Sequence, residues 1–148
     1  MPIEPQISKE VITQHILQRI ERYEKAIINT LSYIGEECVR EARIAGNYTD
    51  QTGNLRSSTG YIIVNNGEII QVSKFSPVSR GSAGAKEGEE FVKQLARQYN
   101  KGIAIIVAVG MNYASYVANK GYNVLDSSEL KAEVLIPKML AELGLNLK

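Results

Sequence analysis

A long stripe of apolar residues near the N-terminus constrains the fold of this chain more than any other feature. Its members recur at steps of four, four and three residues: Ile12, Ile16, Ile20, Tyr23, Ile27, Leu31, Ile34, Cys38, Ala42 and Ala45. The repeat corresponds to about 3.67 residues per turn, close to the period of a straight α-helix. We therefore predict one helix over residues 8–46, capped by Ser8 and ended at Gly46-Asn47 by a residue that accepts a positive φ.

The predicted helix is too long for the domain that contains it. At 1.5 Å per residue it spans about 57 Å, whereas a compact chain of this length is roughly 38 Å across. The helix must either bend, with Gly35 as the candidate position, or project and bury its apolar face on another subunit. So large an apolar face is more typical of an assembly component than of a lone enzyme.

Composition excludes several classes of protein. The 148 residues form one domain, and 17 basic against 16 acidic residues create no bulk field toward nucleic acid or membranes. The single cysteine, Cys38, cannot form an internal disulfide, and no Cys/His spacing indicates zinc. Residues 1–10 lack the pattern of a signal peptide, and no apolar run is long enough to span a bilayer. We expect synthesis in the cytosol and no membrane partner.

Residues 58–75 carry the pattern of a β-hairpin. The segments 61–64 (YIIV) and 69–72 (IIQV) flank Asn66-Gly67, the pair best suited to a type I′ turn. That turn pairs Val64 with Ile69, Ile63 with Ile70, and Tyr61 with Val72. Both faces would then be apolar, so we expect the hairpin to be covered on both sides.

The other segments complete a single α+β domain over residues 1–148. We predict a polar loop at 48–57, a mobile loop at 76–86, a helix at 87–100, a buried central strand at 102–110 and a helix at 126–143. Residues 113–120 fit either a helical turn or an extended segment. Asp126 and Glu129 suggest a capping box, and Pro137 should kink or restart the last helix. The expected fold is a long N-terminal helix and further helices packed on a small, mainly antiparallel sheet.

Few residues offer catalytic chemistry. His15 is the only histidine, no serine lies in a G-x-S-x-G elbow, and the glycines at 81–86 lack the spacing of a P-loop. We therefore expect no enzyme, no cofactor and no catalytic or metal-binding residue. Two alternatives stay open. One is a nucleic-acid or adaptor-binding module that uses Arg56 together with Lys74, Arg80 and Lys86 as possible polyanion contacts, and the other is a small hydrolase or transferase with an unrecognised site.

Two short segments carry a resemblance to a known family. Residues 48–58 read YTDQTGNLRSS, and residues 110–121 read GMNYASYVANKG. They resemble the small head–tail joining, or tail-completion, proteins of tailed bacteriophages. Those proteins pair a (D/R)-x-T-G-x-L-(R/K)-x-S segment with a later Y-A-x-Y-V-E-x-G segment. The matching residues are Asp50, Thr52, Gly53, Leu55, Arg56, Ser58, Tyr113, Ala114, Tyr116, Val117 and Gly121. Here Ala118 replaces the familiar acid, Gly121 stands one residue later than the glycine of the pattern, and Tyr122 replaces the threonine that usually follows the glycine.

The resemblance implies a virion structural protein with no turnover. Similar proteins form a homo-oligomeric ring at the neck or tail of a phage or prophage particle, where they contact connector or tail-tube proteins as minor tail components. It implies residence in the bacterial cytoplasm before assembly and in the virion afterwards, with nucleic acid contacted only within the assembly. We expect the matching residues to serve folding and interfaces, with Gly53 in a strained turn and Leu55 beneath the hairpin.

Overall fold

The computed structural model describes residues 8–111 and 114–144 and has the expected α+β architecture. Its elements, in chain order, are α1 (Lys9–Ala45), α2 (Asn54–Ser57), β1 (Thr59–Asn65), β2 (Glu68–Val72), α3 (Ser82–Ala96), β3 (Ile103–Val109), α4 (Ala114–Asn119) and α5 (Asp126–Glu142). The three strands form one antiparallel sheet in the order β2-β1-β3. No helix of the described residues is long and apolar enough to cross a membrane.

Helix α1 runs without interruption for 37 residues, and only its C-terminal half packs on the sheet. The Ser8 hydroxyl accepts the Val11 N–H at 3.3 Å, which confirms the predicted cap. Gly35 is buried against the ring of Tyr61, where a Cβ atom would lie 2.7 Å from the ring carbons. The glycine therefore allows the helix to approach the sheet closely. The helix ends at Ala45 before Gly46, as predicted, but the expected positive φ is wrong, because Gly46 has a φ of −60°.

The hairpin turn forms as predicted, but its register differs. Asn66 and Gly67 have φ values of 51° and 83°, as a type I′ turn requires. Val64 lies opposite Ile69. The other two predicted pairs are wrong, because the register shifts between Ile63 and Val64 and leaves Ile70 as an extra residue. The resulting pairs are Ile63 with Gln71 and Ile62 with Val72.

The sheet is covered on both faces, as the apolar hairpin indicated. Tyr61 and Ile63 of β1 pack in one cluster with the buried residues of α1 and with α5. Ile62 and Val64 point the other way and pack with α3. The central strand is β1, which pairs with both neighbours, so the prediction that β3 is central was wrong. An apolar run is compatible with an edge strand when both of its faces are covered by helices.

Residues 54–57 of the predicted polar loop form α2, and two helices predicted after the hairpin, α3 and α5, also need corrections. Helix α3 begins at Ser82, so residues 82–86 are helical and not loop, and it ends at Ala96 before residue 100. Residues 114–119 are helical, which decides the open alternative for that segment. Helix α5 spans Pro137 as one element, and its N-cap is Leu125 with no side-chain bond, so the capping box does not form.

A chain of polar side chains joins α1 to both strands of the hairpin. The fully buried Tyr61 hydroxyl donates to Glu36 Oε1 at 3.0 Å and accepts from Gln71 Nε2 at 2.9 Å. The Ser32 hydroxyl donates to Gln71 Oε1 at 2.8 Å. Burial and the bond to Glu36 raise the pKa of Tyr61 to about 12. The phenol therefore stays protonated and keeps its bond to the carboxylate far into the alkaline range.

Replacing Gly35 with alanine tests the close approach of α1 to the sheet. The new methyl group would strike the Tyr61 ring, so we expect Gly35→Ala to lower the free energy of unfolding by about 1–3 kcal/mol. Helix propensity alone predicts the opposite, a gain of about 1 kcal/mol. Urea denaturation measures the change. In a Tyr61→Ala background the same substitution should no longer cost stability, and a stabilising Gly35→Ala in the wild-type background would contradict the contact.

Candidate functional site: a buried motif cluster and an exposed helix stripe

The first motif segment forms a capped turn in front of β1. Gly53 adopts φ +79°, as expected for this position, and precedes α2. The Asp50 carboxylate accepts the N–H groups of Leu55 at 3.4 Å and Arg56 at 2.9 Å. The Thr52 hydroxyl accepts the N–H of Asn54 at 3.3 Å. These two side chains satisfy the free N–H groups of the short helix and hold its orientation.

Arg56 of the same segment caps the C-terminal end of α1. Its Nε donates to the Arg43 carbonyl at 3.1 Å, and its Nη2 donates to the Gly46 carbonyl at 2.9 Å. The guanidinium also lies 4.5 Å from the centre of the Tyr48 ring and 3.9 Å from the Asp50 carboxylate. The carbonyl groups at the end of α1 are therefore capped by an arginine side chain, whereas the sequence predicted a residue with a positive φ at this position.

The glycines of α3 bring that helix into backbone contact with the first motif segment. The Gly84 N–H donates to Asn54 Oδ1 at 3.1 Å, and a Cβ atom there would lie 2.2 Å from the Asn54 carbonyl oxygen. Gly88 packs in the same way on the Ser58 carbonyl, with a Cβ distance of 2.4 Å. Ser58 itself is buried, and its hydroxyl donates to the Leu55 carbonyl at 2.7 Å. The small residues serve helix packing here.

The two motif segments meet in one apolar cluster. Leu55 of the first segment is fully buried with Tyr48, Val109 and Val124, and Ala114 and Val117 of the second segment pack against them. Gly121 ends the second segment in an exposed turn at φ +88°. Tyr113 lies outside the described residues, and so does the side chain of Tyr116. Segments about 60 residues apart in sequence thus stabilise the same corner of the fold.

Sequence reasoning missed two residues that complete this corner. Asn123 donates its N–H to Asn47 Oδ1 at 2.7 Å and its Nδ2 to the Ala45 carbonyl at 3.3 Å, so it ties the chain before α5 to the end of α1. Arg43 donates from Nη2 to the Thr59 carbonyl at 3.1 Å. Neither residue stands in a recognisable motif. Their hydrogen bonds join segments that are distant in sequence, so these contacts could be identified only from the folded structure.

Two open cavities lie on either side of Leu125, next to β3. One of about 270 Å³ is lined by Cys38, Val107, Leu125, Ser128, Glu129 and Ala132. The other, of about 310 Å³, runs from Phe91 past Val107, Ala108 and Val109 to Ala114, Ser115, Ala118, Val124, Leu125 and Asp126. Burial raises the pKa of the Cys38 thiol, which keeps it protonated and weakly nucleophilic. Within residues 8–111 and 114–144, no group of His, Cys, Asp and Glu side chains could hold a metal ion.

The N-terminal half of α1 presents its apolar stripe to solvent. Residues 8–25 are exposed throughout, and we call residues 9–25 the overhang. Six of its apolar side chains are 42–54% exposed: Val11, Ile12, Ile16, Leu17, Ile20 and Tyr23. A second exposed apolar patch lies on α5, where Leu130 and Val134 follow each other by one turn and are 64% and 66% exposed. Contiguous apolar surface of this kind marks interaction sites.

Three basic side chains near the hairpin and α3 are also exposed. Lys74 follows β2, Arg80 precedes α3, and Lys86 lies on its second turn. In the part of the chain that the structure describes, none of the three forms an ion pair. Glu87, Glu89 and Glu90 are exposed near them along α3. The local charge is therefore mixed.

Exchanging the arginine that caps α1 for lysine tests the motif cluster. Lysine keeps the charge but cannot donate to two carbonyls in a fixed fork or stack on Tyr48. We expect Arg56→Lys to lower the free energy of unfolding by about 1–3 kcal/mol. Arg40→Lys is the matched control, because Arg40 is exposed and forms only an i,i+3 ion pair, worth less than about 1 kcal/mol. Equal effects of the two exchanges in chemical denaturation would contradict the capping role.

Comparison with known proteins adds no relative to this description: no family model, curated protein or solved structure matches the chain.

Proposed function

We propose that this protein is a non-enzymatic structural subunit of a phage or prophage particle, of the head–tail connector or tail-completion type, and that it acts by ring assembly. The observation that carries the proposal is the exposed apolar stripe of the overhang. The two motif segments that resemble the family, and that meet in one cluster, support it further. Its partners are other copies of itself and neck, connector or tail-tube proteins. It resides in the bacterial cytoplasm before assembly and then in the virion.

The size of the stripe fits a contact that is repeated between copies. Fully burying a large apolar side chain is worth about 1.5–3 kcal/mol, so burying the exposed half of six is worth on the order of 4–9 kcal/mol. Association costs about 4–15 kcal/mol in lost motion. One such contact is therefore marginal alone. In a closed ring each copy makes two contacts, and the assembly becomes stable although each pair is weak.

A ring also needs two different surfaces on each copy. Heterologous contacts join one patch of a subunit to another patch of its neighbour and close into a ring when the rotation fits. The overhang and the Leu130–Val134 patch of α5 are two such apolar surfaces on separate parts of the fold. We assign the overhang of one copy to the α5 patch of the next. The motif cluster contributes by fixing the C-terminal end of α1, because the overhang is the opposite end of the same continuous helix.

Placing two acids in the stripe tests the assembly. Ile16→Asp with Ile20→Asp should abolish species larger than a dimer in sedimentation velocity, because charged residues cannot be buried in an apolar contact without a large cost. Both side chains are about half exposed, so the free energy of unfolding should change by less than about 1 kcal/mol. Gln14→Asp with Gln18→Asp is the matched control, with the same charge and spacing at exposed polar positions. Large species that survive the first pair, or that are equally lost with the second, would refute the proposal.

A nucleic-acid or adaptor-binding module is the second candidate, favoured by the exposed Lys74, Arg80 and Lys86 without ion pairs among the described residues. It predicts a gel shift with duplex DNA at low salt that weakens steeply as salt rises. Replacing the three residues with alanine should reduce the affinity at least tenfold. The same change at Lys9, Arg97 and Lys138, which are also exposed, should have a smaller effect. No shift at low salt would remove this candidate.

A further inference from the structure

Strand β3 leaves one complete edge of the sheet without a partner in the described part of the chain. Beyond its ends, the Gly110 N–H donates to the Ser58 carbonyl and the Asn66 N–H donates to the Gly102 carbonyl. Since hydrogen-bonded pairs alternate in an antiparallel ladder, the even-numbered residues of β3 face β1. The backbone groups of Ile103, Ile105, Val107 and Val109 therefore face outward. None of them bonds to another described residue.

The two edges of the sheet differ in how well they are protected against pairing. Strand β2 has five residues, begins with Glu68 and carries the irregularity that breaks its register with β1. Charges, short length and bulges are the devices that keep an edge strand from joining another sheet. Strand β3 has seven residues, all apolar, with no proline, no charge and an unbroken register. The edge at β3 therefore has the features of a strand that pairs.

We propose that β3 pairs antiparallel with β3 of a second copy, so that a two-fold axis through Ile106 joins two three-stranded sheets into one of six strands. The sequence of the strand is self-complementary about that centre. Reversal of IAIIVAV places Ala104 opposite Ala108 and a β-branched residue opposite a β-branched residue at every other position. Small residues then face small ones and large residues face large ones in both copies, which makes the two sheet faces continuous.

Charge at the two ends of β3 favours the same pairing. Lys101 lies just before the strand. In the antiparallel register centred on Ile106, Lys101 of one copy lies just beyond the C-terminal end of β3 in the other copy. The cavities beside that end have exposed acids at their rims, Asp126 in one and Glu129 in the other. Among the residues that the structure describes, no basic side chain lines either cavity. The two-fold axis repeats this match of opposite charges at both ends of the pair.

This pairing differs from the contacts proposed for the ring. A two-fold contact joins the same surface of two copies and closes after two, whereas a ring joins different surfaces. It does not depend on the overhang or on the virion assignment. The two contacts can therefore be lost separately, and a chain with Ile16→Asp and Ile20→Asp should still form the β3 dimer.

Val107→Pro in that double-aspartate background tests the proposal. The Val107 N–H faces outward, so proline removes a donor to the second copy without breaking a bond to β1, and edge strands tolerate proline at such positions. We expect the dimer dissociation constant in sedimentation equilibrium to rise at least tenfold. Val107→Ala, which keeps the N–H, should change it less than about threefold. Equal effects of the two variants, or a background protein that is monomeric at all concentrations, would overturn the proposal.

Amide hydrogen exchange tests whether the outer edge of β3 is the surface that pairs, and it requires no substitution in the core. The outward amides of Ile103, Ile105 and Val107 should become protected as the protein concentration rises, while those of Ala104, Ile106 and Ala108 stay protected throughout by β1. Lys101→Glu should weaken the dimer, and a second change, Glu129→Lys, should restore it. A dimer whose outward β3 amides exchange freely at all concentrations would show that another surface pairs.

Discussion

The length of the strands determines how much of α1 the domain can cover. Seven residues of β1 span about 23 Å, whereas 37 residues of α1 span about 55 Å. Burial accordingly begins near residue 26, and the buried residues of α1 all lie between Leu31 and Ala42. The close contact of Gly35 with Tyr61, the polar chain through Gln71 and the packing of α5 all lie along this half. Among the described residues, the other half stays exposed, and the assembly proposal starts from that mismatch.

The buried motif residues hold neighbouring chain segments in fixed positions. Arg56 and Asn123 satisfy carbonyl groups at the end of α1, and Asp50 holds the turn that presents Arg56. The glycines of α3 let its backbone touch the same turn. The result is a corner in which four chain segments are tied together beneath the sheet. Such a corner is what an assembly subunit needs, because the angles between its contact surfaces must be the same in every copy.

Elements with a strong local signal were predictable from the sequence, and elements decided by long-range packing were not. The apolar period of α1 and the Asn66-Gly67 turn identified the longest helix and the hairpin. The extra residue at Ile70 and the edge position of β3 depend on which strands pair, which periodicity does not report. The small residues at 76–86 suggested a mobile loop, but Gly81 packs closely on Gly53 and Ser57, and Gly84 packs closely on Asn54. The apolar cluster that contains Leu55 and Val117 could likewise not be predicted from the sequence.

The overhang converts small changes in the core into large displacements at its tip. The first turn of α1 lies about 38 Å from Gly35, so a tilt of roughly 10° at Gly35 moves that turn by about 7 Å. In an assembly of identical subunits that displacement recurs at every contact and accumulates around the circumference. In the proposed ring, the packing around Tyr61 and Arg56 would therefore influence the diameter of the central opening. Tyr61 would do so although it is fully buried within its own subunit.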